Sequence, residues 1–231
     1  MYDPLIHHRQ SFRLDGYDYA QEGAYFVTIC TQDKISYWSA IENEKVCLSP
    51  SGAMVMKWWK ELAHKFPSVH LDEFVIMPNH VHGIIMIEAV LRGRPSNLDV
   101  GTALCGRPSG EDGFKEETNK SSVSPTLGAI VDWFKTMTTN EYIRGVKQLS
   151  WPSFPGKLWQ RNYFEHIIRD EKSYDKIRAY IATNPERWDC DIENPERKKT
   201  DEFHQWLISF QSKRAATQGR PYIKNGNDKP V

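Results

Sequence analysis

The 231-residue chain has no net formal charge, because Lys and Arg together number 30 and so do Asp and Glu. That balance excludes a bulk polycation, although a local basic groove is compatible with it. Cysteine is scarce: Cys30, Cys47, Cys105 and Cys190 are scattered and form no C-x-x-C pair. This argues against a zinc ribbon or a dithiol redox motif and fits the reduced thiols of a cytosol. No apolar run approaches the ~20 residues that a membrane-spanning helix needs. The first ten residues, MYDPLIHHRQ, lack the apolar core of a signal peptide. A cytoplasmic protein with no membrane partner is the expectation. The phosphate loop G-x-x-x-x-G-K-[ST] is also missing, so nothing points to nucleotide hydrolysis.

What is present is a chain able to build a core, with 39% hydrophobic and 12% aromatic residues. GAYFVTICTQ, 23–32, is aromatic and β-branched and reads as a strand, followed by a shorter one in EKVCLSP, 44–50. Ser49 or Ser51 can cap a helix in which Met54, Trp58, Leu62 and Phe66 recur every four residues. HLDEFVIMP, 70–78, and HVHGIIMIE, 80–88, read as an antiparallel hairpin broken at Pro78 and Asn79. A helix is expected from Thr126 to Arg144, a strand over 157–169, and a helix over 171–184 that Pro185 stops. The resulting order, β-β-α-β-β-α-β-α, is α+β: an antiparallel sheet with helices mainly on one face. Residues 90–125 are rich in Gly, Pro, Ser and charge, and read as a variable surface insertion dispensable for folding. Beyond 190 the chain is polar except for EFHQWLISF, which reads as an appended helix before a disordered tail. The domain is therefore set at 1–190, with 191–231 appended.

Within FVIMPNHVHGIIMIE, 74–88, two histidines stand two positions apart in an otherwise apolar run. On a strand, residues i and i+2 share a face roughly 7 Å apart, so His80 and His82 can aim at one ion. The spacing fits equally a structural pair satisfied by ordinary hydrogen bonds, and a metal reading needs a third ligand. No Cys or His with the spacing of a closed zinc site lies nearby, which favours a nitrogen-and-oxygen site for Mg²⁺ or Mn²⁺. In YIATNP, 180–185, Tyr180 and Asn184 fall on one helical face a turn apart. A tyrosine beside a metal-bound phosphate can act as a nucleophile. The same two residues can equally be a core tyrosine and a plain helix terminus.

MPNHVHGIIMIE, followed by WQRNYFEHIIRDEKSYDKIRAYIATNPERW, resembles the IS200-like single-tyrosine transposases. The branch associated with repetitive extragenic palindromes is the more similar, and HHRQSFRLDGYDYAQEGAYFVTICTQ resembles its N-terminal part. The resemblance covers roughly residues 7–190 and implies a ferredoxin-like (RRM-like) sheet. It also implies Mg²⁺- or Mn²⁺-dependent cutting and rejoining of single-stranded or hairpin DNA through a 5′-phosphotyrosine. Carried over by position, His80 and His82 become metal ligands, Tyr180 the nucleophile and Asn184 a third, polar ligand. Association with the nucleoid would follow from such a substrate. Relatives include both dimers and forms that act alone, so a homodimer stays open.

Single-stranded DNA calls for cations on phosphates and flat side chains under bases. Arg9, Arg13, Arg161 and Arg169 are the candidate DNA contacts, since arginine is seldom buried without a partner. His166 is read as a surface histidine. Two alternatives stand beside the transposase reading: a non-catalytic nucleic-acid-binding module on the same fold, and a metal-dependent phosphohydrolase in which water attacks.

Overall fold

The computed structural model describes residues 18–88 and 125–213. Strand β1 (Gly23–Cys30) is buried along its whole length, as its unbroken run of aromatic and β-branched residues demands. A hairpin follows, β2 (Ser39–Glu42) and β3 (Lys45–Leu48), turning through Asn43 and Glu44, both at positive φ. Helix α1 (Pro50–Lys65) starts at Ser49, whose side chain accepts a hydrogen bond from Gly52 N at 3.0 Å, with Pro50 in the first turn. Then come β4 (Val69–Ile76) and β5 (His80–Ile87), α2 (Leu127–Gln148) capped by Thr126, and β6 (Phe164–Ile168). Helix α3 (Glu171–Thr183) is capped by Asp170, a short 3₁₀ turn covers Pro185–Cys190, and α4 (Glu202–Lys213) ends the described chain.

The main sheet has the order β4-β5-β1-β6 with every neighbouring pair antiparallel. Setting the β2–β3 hairpin aside, this is the βαββαβ arrangement of a ferredoxin-like fold. The two long helices, α1 and α2, cover one face, where Trp59, Leu62, Phe134 and Tyr142 pack on Tyr25, Val27, Val81 and Ile85. The shorter α3 and α4 occupy the other face, with Tyr174, Ile177, Tyr180, Ile181 and Phe203 against Phe26, Ile84 and Ile168. Successive residues of β5 therefore enter two different cores: Val81 goes to one, and His80 and His82 point to the other.

The strand expected over 157–169 is shorter than that. Only Phe164–Ile168 pair with β1, and Trp159 makes an isolated bridge to Thr31. The reason lies in α2: Lys135 Nζ donates to the carbonyls of Gln160, Arg161 and Asn162 at 2.9, 3.3 and 3.3 Å. Three successive carbonyls gathered on one ammonium cannot alternate in direction as a strand requires. The expected insertion at 90–125, apart from its last residue, and the tail from 214 lie outside the described residues. The segment beyond 190 is closely joined to the domain, since Phe203 and Leu207 of α4 are buried against α3 and the sheet.

Candidate metal centre and tyrosine

His80 and His82 pair across the sheet with Cys30 and Thr28 of β1, and their ring centroids are 4.3 Å apart. Both side chains are essentially inaccessible, at 0% and 2% exposure. Tyr180 reaches the same point from α3, with its hydroxyl 3.4 Å from His82 Nε2. Asn184 closes α3, and the 3₁₀ turn after it folds the chain back so that Asp191 joins the cluster. Asp191 Oδ2 lies 3.7 Å from His80 Nε2 and 3.5 Å from His82 Nε2. It accepts hydrogen bonds from Asn184 Nδ2 at 2.7 Å and from the Tyr180 hydroxyl at 3.3 Å. Ligand atoms of His80, His82 and Asp191 all fall within 4.8 Å of one another, so the three could hold a metal ion.

The surrounding bonds orient these ligands. The Asn79 side-chain NH₂ donates to Lys34 O and Glu193 O, at 3.1 and 2.8 Å. Its Oδ1 is thereby turned to accept from His80 Nδ1–H at 2.8 Å, which leaves a bare lone pair on His80 Nε2. His82 Nδ1 is paired with Thr28 Oγ1 at 2.8 Å, so its Nε2 also faces the cluster. Two buried polar atoms here have no hydrogen-bond partner, His80 Nε2 and Asn184 Oδ1. A cation suits both, because each offers a lone pair and neither needs a proton. The residues present fit a metal.

Burial, and then the neighbouring His82, push the His80 imidazole down to about 3, so it is neutral and ready to ligate. Burial alone would raise the Asp191 carboxyl. The adjoining imidazoles and the Asn184 amide outweigh it and hold the group well below the usual carboxylate range. Tyr180 is pushed well above the ordinary phenol value, first by burial and then by the charge of Asp191. Its ring is clamped as well: Phe203 of α4 stacks on it with centroids 3.6 Å apart, and Phe26 meets it edge-on.

Of the residues singled out in the sequence, His80, His82, Tyr180 and Asn184 come together. Arg161 is exposed on the 160–162 segment beside the site. Arg169 follows Ile168, which pairs with Ala24, whereas the site lies at the Thr28 end of β1; the sheet thus holds Arg169 far from the cluster. Arg9 and Arg13 lie outside the described residues. His166, expected at the surface, is buried at 3% exposure, because β6 pairs with the enclosed β1. Asp191 was missed. Nothing in WDCDIEN distinguishes it from Asp189 or Glu193 until the turn at Pro185–Cys190 is known.

A ferredoxin-like sheet with a buried His–His–Asp cluster under a helix-borne tyrosine is what fold and site define. The chain belongs to the family of an uncharacterised protein of Haemophilus influenzae strain Rd, with 40% identity over 193 residues, 82% of this chain and 95% of that protein. No family model matches the chain. Among solved structures it is similar to a REP-associated tyrosine transposase bound to a REP hairpin, at 18% identity and a TM-score of 0.44, over 76% of this chain and 73% of that one. It is also similar to a Deinococcus radiodurans protein named provisionally as a transposase, at 14% identity and a TM-score of 0.39, over 74% of this chain and 95% of that one. Among the described residues no helix is long and apolar enough to cross a membrane.

Proposed function

We propose that this protein is a metal-dependent DNA strand transferase that nicks and rejoins single-stranded DNA through a 5′-phosphotyrosine on Tyr180. The observation that carries this reading is the Tyr180 hydroxyl set 3.4 Å from His82 Nε2 and 3.3 Å from Asp191 Oδ2, at the point where a cation fits. The motifs HVH and YIATNP, which carry the sequence resemblance to single-tyrosine transposases, supply His82 and Tyr180, and Asp191 comes from the turn that follows. His80, His82 and Asp191 would hold the ion, with Asn184 Oδ1 as a further donor. Imidazole and carboxylate together suit Mn²⁺, and Mg²⁺ less well. When bound, the cation offsets the charge of Asp191 and polarises a phosphate, which favours the phenolate.

The chain's own residues do the rest. Phe203 and Phe26 hold the Tyr180 ring so that its oxygen has one direction to attack. The Tyr180 hydroxyl donates to Asp191 Oδ2, and Tyr180 also lines the adjoining cavity. Its proton leaves to water as the oxygen attacks, because the Asp191 carboxyl is held too far below the usual carboxylate range to take it. A Tyr180 Oη–P bond forms, the P–O3′ bond breaks, and the departing O3′ takes up a proton. The new phosphotyrosine diester keeps the energy of the broken one, so a 3′-hydroxyl can reverse the step without nucleotide hydrolysis.

The test is a denaturation-resistant adduct between the protein and hairpin-bearing single-stranded DNA in the presence of Mn²⁺. Wild type should form it, and Tyr180→Phe, which removes one oxygen and keeps the stacked ring, should not. An adduct in Tyr180→Phe would move the chemistry to another residue. Strand cleavage without any adduct would favour the phosphohydrolase reading.

A further inference from the structure

Beside Tyr180 lies a cavity of about 530 Å³, within the roughly 300–1,000 Å³ range of small-ligand sites. Tyr180 and His82 are among its lining residues, so it adjoins the atoms that would meet a phosphate. Its walls include the rings of Phe26, Tyr163 and Phe164, together with Gln160, Asn162 and Lys34. We propose that this cavity is a base subsite: it takes one unstacked nucleobase of the strand being cut, adjoining the scissile phosphate. The inference rests on the proposed strand-transfer reading and adds where and how the substrate is gripped.

Three observations point to a base. The cavity combines aromatic walls with two carboxamides, and a nucleobase is the part of a DNA strand that needs both a stacking surface and edge-on hydrogen bonds. Carboxamides pair with base edges because they offer a donor and an acceptor side by side. The wall bearing them is also built in advance. Lys135 Nζ gathers the carbonyls of residues 160–162, and Gln160 N donates to Cys30 O at 2.9 Å, which fixes the segment to the end of β1. The side chains of Gln160 and Asn162 are therefore presented on an anchored backbone. Lys34, which donates to Ile192 O at 3.1 Å and lies 3.3 Å from Glu193, places a cation at the same cavity, with that carboxylate beside it in the lining. An abasic sugar-phosphate would use Lys34 and leave the rings and amides idle.

The experiment uses the full chain with Mn²⁺ and the fluorescent probe 2-aminopurine 2′-deoxyribonucleoside 5′-monophosphate, whose emission is quenched on stacking. Saturable quenching is expected in wild type. Gln160→Ala/Asn162→Ala should weaken it roughly fivefold or more, the loss of ordinary hydrogen bonds, with thermal melting confirming that the variant is folded. An equal concentration of 2-deoxyribose 5-phosphate should displace little probe. No saturable quenching, unchanged affinity in the double variant, or full displacement by the sugar phosphate would each overturn the base subsite. The adduct assay separates the two proposals. Adduct formation without nucleotide binding sinks the subsite alone, and nucleotide binding without an adduct sinks strand transfer alone.

Discussion

Tyr180 occupies a site that, left to the protein alone, keeps its hydroxyl protonated, because burial and the Asp191 carboxylate both oppose the phenolate. A countercharge held by the same carboxylate would remove the second obstacle, so the proposed mechanism makes both metal affinity and the nucleophile depend on Asp191. Asp191→Asn keeps the shape and loses the charge. Its Mn²⁺ affinity, measured by calorimetry on the folded variant, should fall at least roughly tenfold, and adduct yield should fall with it; unchanged affinity would remove Asp191 from the ligand set. A second titration lies in the other core. Burial, and then Tyr37, push Tyr142 up to about 12, while its hydroxyl donates to Pro152 O at 2.9 Å. A raised folded value means that the unfolded chain loses this proton first. The contribution is therefore complete below about pH 10 and is lost as pH rises from about 10 through about 12. Tyr142→Phe should flatten the alkaline limb of the stability profile, as followed by urea unfolding between those values; an unchanged limb would mean that Tyr142 is not responsible. Local periodicity put His80 with His82 and Tyr180 with Asn184, since i+2 on a strand and i+4 on a helix follow from the backbone alone. What joined the two pairs into one candidate site was the family resemblance. Asp191 escaped because its position depends on a 3₁₀ turn, which has no repeating pattern to read.

Strand β5 is the element on which the site depends, and it is enclosed on both faces. Its histidine face is closed by α3 and its other face by α1, which approaches through Gly83. A Cβ built there would lie 2.3 Å from Trp59 Cζ2 and 3.1 Å from Phe74 Cβ. Gly83→Ala must therefore push the indole or bend the strand between His82 and Ile84, and overpacking of this kind costs about 1–3 kcal/mol. A thermal melt should show the loss, and Mn²⁺ binding should weaken too, because His82 is the next residue. A variant as stable as wild type would show that α1 yields easily. The β4–β5 hairpin was legible from its apolar runs and the Pro78–Asn79 break. Strand β2 was not: Ser39–Glu42 has only four residues, none fully buried, so no hydrophobic signal distinguishes it from a loop. The excess length given to β6 came from reading the aromatic run 159–164 as one strand, when Lys135 of α2 bends its backbone away.

At the scale of the whole molecule, the candidate site residues meet within one chain. β5 supplies His80 and His82, α3 supplies Tyr180 and Asn184, and the turn that follows supplies Asp191; all of them meet through contacts inside the same copy. Phe203 of α4 then closes over the tyrosine, so the ring is held between two helices of its own chain. Moving Tyr180 to a partner's metal centre would require α3 to leave the apolar core it shares with Phe26, Ile84 and Ile168. It would also break the anchor on β4, where Asp72 accepts from the Tyr174 hydroxyl and pairs with Arg178 at 3.1 Å. That is a large loss with no described contact to offset it. Nucleophile and metal ligands should therefore work in cis whether or not the protein dimerises. Co-expressed His80→Ala and Tyr180→Phe chains, each inactive alone, should remain inactive together, with no adduct above the sum of the two. Recovery toward a quarter or more of the wild-type adduct would mean that α3 is exchanged between copies. The single-chain centre would then be only one of two states of the molecule.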